Sequence, residues 1–135
     1  MAKMPQEAKD LLSDFMVPKV LATCSSDGVL NVVPKGTLSA LDDETVVFAD
    51  LFGIKTNQNL EVNETVALAV FKVAVPPVGY QMKGRFEGFH RESELFDAVA
   101  AKVKKVLGME TRAVGVIKVD EVYSCGAPEP GAKLA

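Results

Sequence analysis

The chain has 135 residues, of which 48% are hydrophobic and 24% charged. This is enough for one buried core and too little for two ordinary domains, so we expect a single domain over residues 1–135. The net charge is −3 and the 15 basic residues are scattered, which argues against a nucleic-acid partner. No apolar run approaches a membrane span and no signal-peptide core follows Met1. We therefore expect a cytoplasmic protein with no membrane partner.

The first part of the chain predicts a helix followed by a β-hairpin. Apolar residues recur at helical spacing over 5–15, and an apolar strand is predicted over 20–24. Asp27-Gly28 then predicts a type I′ turn, because both central residues of that turn need positive φ. The return strand, 29–38, contains Pro34, which cannot donate to a β-ladder. This strand is expected at a sheet edge, at a bulge or facing a ligand.

The rest of the chain predicts more strands than helices. In chain order we expect a strand over 45–49, a short helix ending near Asn63, strands over 65–71 and 80–89, a helix over 92–107 and a strand over 113–123. The tail, 126–135, holds two prolines and two glycines and is expected to be loosely ordered. Six strands with hairpin links and few helices indicate a mainly β fold, an antiparallel Greek-key barrel.

The segment 51–60 is a strand-to-helix turn that carries Lys55 and Thr56. At a helix start, unpaired N–H groups and the helix dipole stabilise a bound phosphate. A neighbouring lysine and hydroxyl increase this stabilisation. A simpler interpretation is that Thr56 caps the helix and Lys55 is solvated. Taken alone, the segment favours the cap, whereas its position between two barrel-type strands favours the phosphate site.

Several kinds of chemistry have no supporting pattern. The cysteines, Cys24 and Cys125, have no metal-site spacing, and His90 is the single histidine, so no metal site is expected. The glycines that a phosphate-binding P-loop requires are missing, and no nucleophile-elbow motif occurs. The acidic clusters at 42–44 and 92–94 fall at a turn and a helix start, where solvation or capping explains them.

Three patterns, taken in order, resemble one family. They are T-x-x-x-D-G at 23–28, K-T-x-x-N-L at 55–60 followed by the strand at 64–68, and G-Y-Q-M-K-G at 79–84. In this order and spacing the chain resembles the split-barrel flavin-binding family of the pyridoxamine 5′-phosphate oxidases and small bacterial FMN-binding proteins. The resemblance covers nearly the whole chain. It implies a six-stranded split barrel that works as a homodimer, with FMN in clefts at the subunit interface.

The resemblance also implies which residues bind the cofactor. Lys55 and Thr56 match phosphate-binding positions, and Asn59 lies one turn further along the same helix. The strand over 33–36 would lie along the flavin ring, and Gln81 would address the ring's polar edge. The full set of expected cofactor-binding residues is Val33, Pro34, Lys35, Phe48, Ala49, Asp50, Lys55, Thr56, Asn59 and Gln81.

The resemblance is incomplete. The oxidases themselves carry a C-terminal Arg/His substrate motif, which the tail at 128–133 lacks, so vitamin B6 oxidation is not expected. Two functions from different classes stay open: an FMN-dependent oxidoreductase or electron carrier acting on a small partner, and a non-catalytic binding module with an empty or ligand-storing cleft. The resemblance also leaves open whether the coenzyme is FMN or a deazaflavin.

Overall fold

A computed structural model describes residues 2–126 and 129–135 of the chain. Seven strands and three helices occur within these residues. In chain order they are α1 (Gln6–Ser13), β1 (Lys19–Cys24), β2 (Leu30–Pro34), β3 (Ser39–Ala40), β4 (Thr45–Asp50), α2 (Lys55–Val62), β5 (Thr65–Lys72), β6 (Val78–His90), α3 (Glu94–Leu107) and β7 (Ala113–Ser124).

The strands form one antiparallel sheet in the order β2-β1-β5-β6-β7-β4-β3. The two edge strands, β2 and β3, are consecutive in the chain, so residues 35–38 join the two edges. Thr37 fixes this connection, because its hydroxyl accepts a hydrogen bond from Ala49 N–H at 3.1 Å and donates one to the Ala49 carbonyl at 3.0 Å. The sheet is a mainly β split barrel, as predicted.

The strand count differs from the predicted six because the expected strand over 29–38 ends early, at Pro34, and an additional two-residue strand, β3, follows it. β2 ends at Pro34 and lies at the sheet edge, where no further strand needs the N–H that a proline lacks. After it, Lys35 N–H donates to the Lys19 carbonyl at 3.0 Å. A turn closed by Leu38 N–H and the Lys35 carbonyl then separates β2 from the two-residue β3.

The β1–β2 hairpin is present, but its turn is not type I′. Gly28 has a φ of +82°, whereas Asp27 does not have positive φ. Gly28 N–H donates to the Ser25 carbonyl at 3.1 Å, and Ser25 N–H donates to the Val29 carbonyl at 2.9 Å. This is a three-residue loop, a type I turn followed by a left-handed glycine, which needs positive φ at one position only.

Two glycines bend the long strand β6 around the barrel. The β6–β7 register shifts between Lys83 and Gly84 and again between Phe86 and Gly88. A Cβ on Gly84 would lie 2.3 Å from the carbonyl oxygen of Lys118, and Gly88 has a φ of +124°. The two glycines therefore lie at the irregular positions of β6, where bulges increase bending and twist.

An aromatic group fills part of the barrel interior. The fully buried Phe48 ring makes an edge contact with Phe89, with centroids 6.0 Å apart, and lies 6.4 Å from Phe86. Gly115 lies directly against the Phe48 ring, on the neighbouring strand β7. Because Gly115 has no side chain, the Phe48 ring fits against β7 at this position.

The helices flank the barrel. α1 buries Ala8, Leu11 and Leu12 against the core, which agrees with the predicted apolar stripe. α3 begins after Ser93, whose Oγ accepts a hydrogen bond from Phe96 N–H at 3.1 Å, and ends at Gly108 with a φ of 69°. These are the start and stop signals of an amphipathic helix.

The tail, 126–135, was expected to be loosely ordered. Residues 127 and 128 lie outside the described residues. The end of the chain returns along β7, where Ser124 N–H donates to the Ala132 carbonyl at 2.9 Å and Leu134 N–H donates to the Val122 carbonyl at 2.8 Å. Backbone pairing of this kind does not depend on side-chain type, so the tail's composition does not reveal it.

Replacing Gly115 by alanine is expected to destabilise the fold. The new Cβ would lie 2.3 Å from the buried ring of Phe48, which has no room to withdraw. Overpacking of this kind costs about 1–3 kcal/mol in the free energy of unfolding, measurable by urea denaturation. Gly36→Ala is the control, because its Cβ would have its nearest neighbour at 3.8 Å. Equal stability of the Gly115→Ala variant and the wild type would contradict the described packing.

Candidate functional site

A cleft opens between β2, the end of β4 and the start of α2. Its volume is about 340 Å³, near the lower end of the range of about 300–1,000 Å³ typical of small-molecule sites. The lining is mainly apolar and comes from residues 31 and 33–37, Ala49, and the run 51–56. The break of β2 at Pro34 and the turn after β4 thus form two sides of one cleft.

The start of α2 lies at this cleft and has no capping side chain. Ile54 is the N-cap residue and makes no side-chain cap hydrogen bond. Thr56 lies inside the helix, so it is not the cap that the simpler interpretation of this segment proposed. α3 differs, because the Ser93 hydroxyl satisfies one of its first N–H groups. The first turn of α2 therefore keeps backbone donors for an anionic ligand.

Lys55 and Thr56 both line the cleft beside these donors. Lys55 is exposed, whereas Thr56 is only 2% exposed. The Thr56 Oγ1 atom lies 3.5 Å from Nδ2 of Asn31, another lining residue, which is a long contact for a hydrogen bond. A hydroxyl, an amide and an ammonium group are thus gathered at one end of the cleft.

Asn59, expected to bind the cofactor, makes a contact within the chain. Its Nδ2 donates to Thr23 Oγ1 at 3.0 Å, and it does not line the cleft. This hydrogen bond joins α2 to β1. Asn59 therefore helps to hold the helix that presents Lys55 and Thr56.

Lys35 brings a second cation to the cleft. Its Nζ lies 5.3 Å from the centroid of the Phe48 ring, a cation–π distance. Burial lowers the pKa of Lys35 below its ordinary value, the Asp50 carboxylate opposes this effect, and Arg112 adds to it. Desolvation disfavours an isolated charge, so an anionic group in the cleft would be attracted to this ammonium.

Asp50 is 4% exposed, and its carboxylate is surrounded by donors. It accepts hydrogen bonds from Gly53 N–H, Asn57 Nδ2 and Arg112 Nη2, each at 3.0 Å. Burial alone would raise the pKa of Asp50, but these donors outweigh it and hold the pKa below its usual range. The side chain was expected to line the cleft, and it is instead engaged in the turn behind it.

Six of the ten expected cofactor-binding residues meet in the cleft: Val33, Pro34, Lys35, Ala49, Lys55 and Thr56. Of the others, Phe48 is buried in the core, and Asp50 and Asn59 make the internal contacts described above. Gln81 pairs with Ala69 and alternates with the buried Met82, which places it on the outer face of the sheet. Within one chain it cannot address a ligand in the cleft.

Two features of the site are not among the sequence predictions. Phe52 and Ile54 line the cleft and are 72% and 70% exposed. Two apolar residues within a turn are the sequence signal that points to them, because apolar side chains exposed in this way commonly mark a binding groove. Arg112 was also missed. Its partner Asp50 lies 62 positions away, and no local pattern reveals a contact of that separation.

Across residues 2–126 and 129–135, no cluster of three or more His, Cys, Asp or Glu side chains is arranged to hold a metal ion. In the same residues, no helix combines the length and the apolar character needed to cross a bilayer.

Comparisons with known proteins agree with the fold. The uncharacterised protein MJ0282 of Methanocaldococcus jannaschii is 34% identical over 138 residues, which cover 98% of this chain and 89% of that protein. The crystal structure of HupZ from Group A Streptococcus has a TM-score of 0.83 at 25% identity, covering 98% of this chain and 99% of that one. An FMN-binding protein from Syntrophomonas wolfei also has a TM-score of 0.83, at 16% identity, covering 92% and 87%.

The family comparison covers nearly the whole described chain. The model of the family described as pyridoxamine 5′-phosphate oxidase matches residues 4–126. This range includes β1 to β7 and every residue that lines the cleft. The chain belongs to the pyridoxamine 5′-phosphate oxidase family.

Proposed function

We propose that the protein binds FMN in this cleft and acts as a flavin-dependent oxidoreductase or electron carrier. The observation that carries the proposal is the uncapped start of α2, with Lys55 and Thr56, at one end of a mainly apolar cleft. Fixed N–H donors and a lysine suit a phosphate, and apolar walls suit a flat ring. The shared fold of the FMN-binding protein from Syntrophomonas wolfei supports the same assignment.

The ring would lie toward β2, beyond the phosphate end. Val33, Pro34 and Ala49 provide apolar surface there. Lys35 adds a positive charge, held over the Phe48 ring, that would stabilise negative charge on a ligand. When bound, the flavin supplies the hydride or single-electron chemistry, and the chain supplies binding, orientation and electrostatics.

A homodimer is the proposed functional unit. The outer face of the sheet, formed here by β1, β2 and β5, carries small and apolar side chains. These side chains are cross-strand neighbours: Ala22, Cys24, Leu30, Val32, Ala67 and Ala69. On this face Leu30 and Val32 are 79% and 64% exposed, and contiguous apolar exposure is typical of an interface. Gln81 lies on the same face, where a second subunit would bring it toward the partner's cleft.

The size of the cleft supports this assembly. The cleft volume of about 340 Å³ is near the lower limit for small-molecule sites, and a ligand with a ring system, a chain and a phosphate would need more cover than a small open cleft gives. A second subunit packed against the outer face would supply the remaining cover. Closed two-fold dimers are also the commonest protein assemblies.

Removing the phosphate-binding side chains is expected to weaken FMN binding. The double variant Lys55→Ala with Thr56→Val loses one charged and one neutral donor but keeps the shape of Thr56. We expect FMN affinity to fall by roughly tenfold to a hundredfold, as measured by titration of flavin fluorescence. Lys105→Ala, an exposed lysine on α3, is the control and should bind FMN like the wild type.

If the double variant binds FMN as tightly as the wild type, Lys55 and Thr56 do not belong to the phosphate site. A wild-type protein that ignores added FMN would overturn the proposal and favour a non-catalytic binding module. Once binding is shown, anaerobic reduction of the bound flavin by NADH or NADPH separates an enzyme from an electron carrier.

A charge on the outer face is expected to dissociate the dimer. Val32→Glu would place an unpaired carboxylate in the proposed interface, and burying such a charge is costly. We expect a dimer of the wild type by light scattering, a monomer of the variant, and weaker FMN binding by the monomer. Val106→Glu, at a 50% exposed position on α3, is the matched control. A wild type that is monomeric when FMN is bound would contradict the assembly.

A further inference from the structure

We infer that Arg112 and Asp50 are positioning residues for the phosphate group of the ligand. They hold the turn 50–53 in the arrangement that directs the start of α2 into the cleft. This inference rests on the proposed function, because it concerns the same cleft. The two side chains lie behind the cleft wall.

Arg112 is joined to both ends of this turn. Its backbone N–H donates to the Asp50 carbonyl at 2.9 Å, and its Nη2 donates to Asp50 Oδ1 at 3.0 Å. The same nitrogen lies 2.9 Å from the Gly53 carbonyl oxygen, to which it also donates. Because Arg112 directly precedes β7, the turn is attached to the rigid sheet at both of its ends.

Asp50 extends this attachment to α2. Its carboxylate accepts from Gly53 N–H in the turn and from Asn57 Nδ2 in the first turn of the helix, both at 3.0 Å. The space is tight, since a Cβ on Gly53 would lie 3.0 Å from Asn57 Oδ1 and 3.1 Å from Asp50 Oδ1. One carboxylate therefore fixes the strand end, the turn and the helix start relative to one another.

The charges suit a phosphate-binding region. An uncompensated carboxylate behind the start of α2 would repel an anion, and the Arg112 guanidinium compensates it. The Arg112 side chain is 54% exposed, so it contributes little to the core. Its side chain contacts the turn. Side chains that hold ligand-binding residues in position commonly affect the affinity of a site without touching the ligand.

The test compares FMN with riboflavin, which lacks the phosphate. We expect Arg112→Ala and Asp50→Asn to lower FMN affinity by about tenfold and to change riboflavin affinity by less than about twofold, because only the phosphate end depends on the turn. Glu110→Gln is the control, since it alters an exposed ion pair with Lys104 on the far end of α3. Asn57→Ala provides a further variant that changes no charge, with the same expectation.

The sign of the Asp50→Asn effect separates positioning from simple charge. Removing a negative charge near a phosphate would by itself strengthen FMN binding, whereas losing the attachment of the turn weakens it. Unchanged or tighter FMN binding by Asp50→Asn, or equal losses for FMN and riboflavin in thermally stable variants, would overturn this inference alone. Failure of the wild type to bind FMN would overturn the proposed function with it.

Discussion

Pro34 keeps β2 at the edge of the sheet, because a proline has no N–H with which a further strand could pair. After Lys35 N–H bonds to the Lys19 carbonyl, the chain turns over 35–38 and bonds across to β4 through Thr37 and Ala49. That crossing joins the two edges of the sheet and makes the barrel. It also leaves β2 and the end of β4 apart, and the cleft occupies this separation.

The cleft combines three physical properties: an apolar lining, an uncapped helix start, and cations at two positions, Lys35 and Lys55. Its nearby carboxylate, Asp50, is enclosed by three donors and compensated by Arg112. Electrostatic interactions in a partly desolvated cleft are stronger than in water. These properties favour an elongated ligand that has a flat apolar part and an anionic end.

The sequence predicted the parts of the site that depend on local order. Lys55 and Thr56 follow a strand and begin a helix, and Pro34 breaks a strand, so both signals lie within a few residues. Alternation along β6 places Gln81 and Met82 on opposite faces, and the apolar Met82 faces the core, so the strand pattern itself separates Gln81 from the cleft of its own chain. Phe48 could not be assigned to the core without knowing that Gly115 lies beside it. Arg112 was missed because its partner is distant in the chain.

A crystal structure of the protein with FMN would test the proposed binding mode most directly. We expect the phosphate within about 2.7–3.2 Å of the N–H groups in the first turn of α2, with Lys55 and Thr56 as neighbours and the ring against Val33 and Pro34. A flavin bound with its phosphate away from α2, or bound outside the cleft, would contradict it.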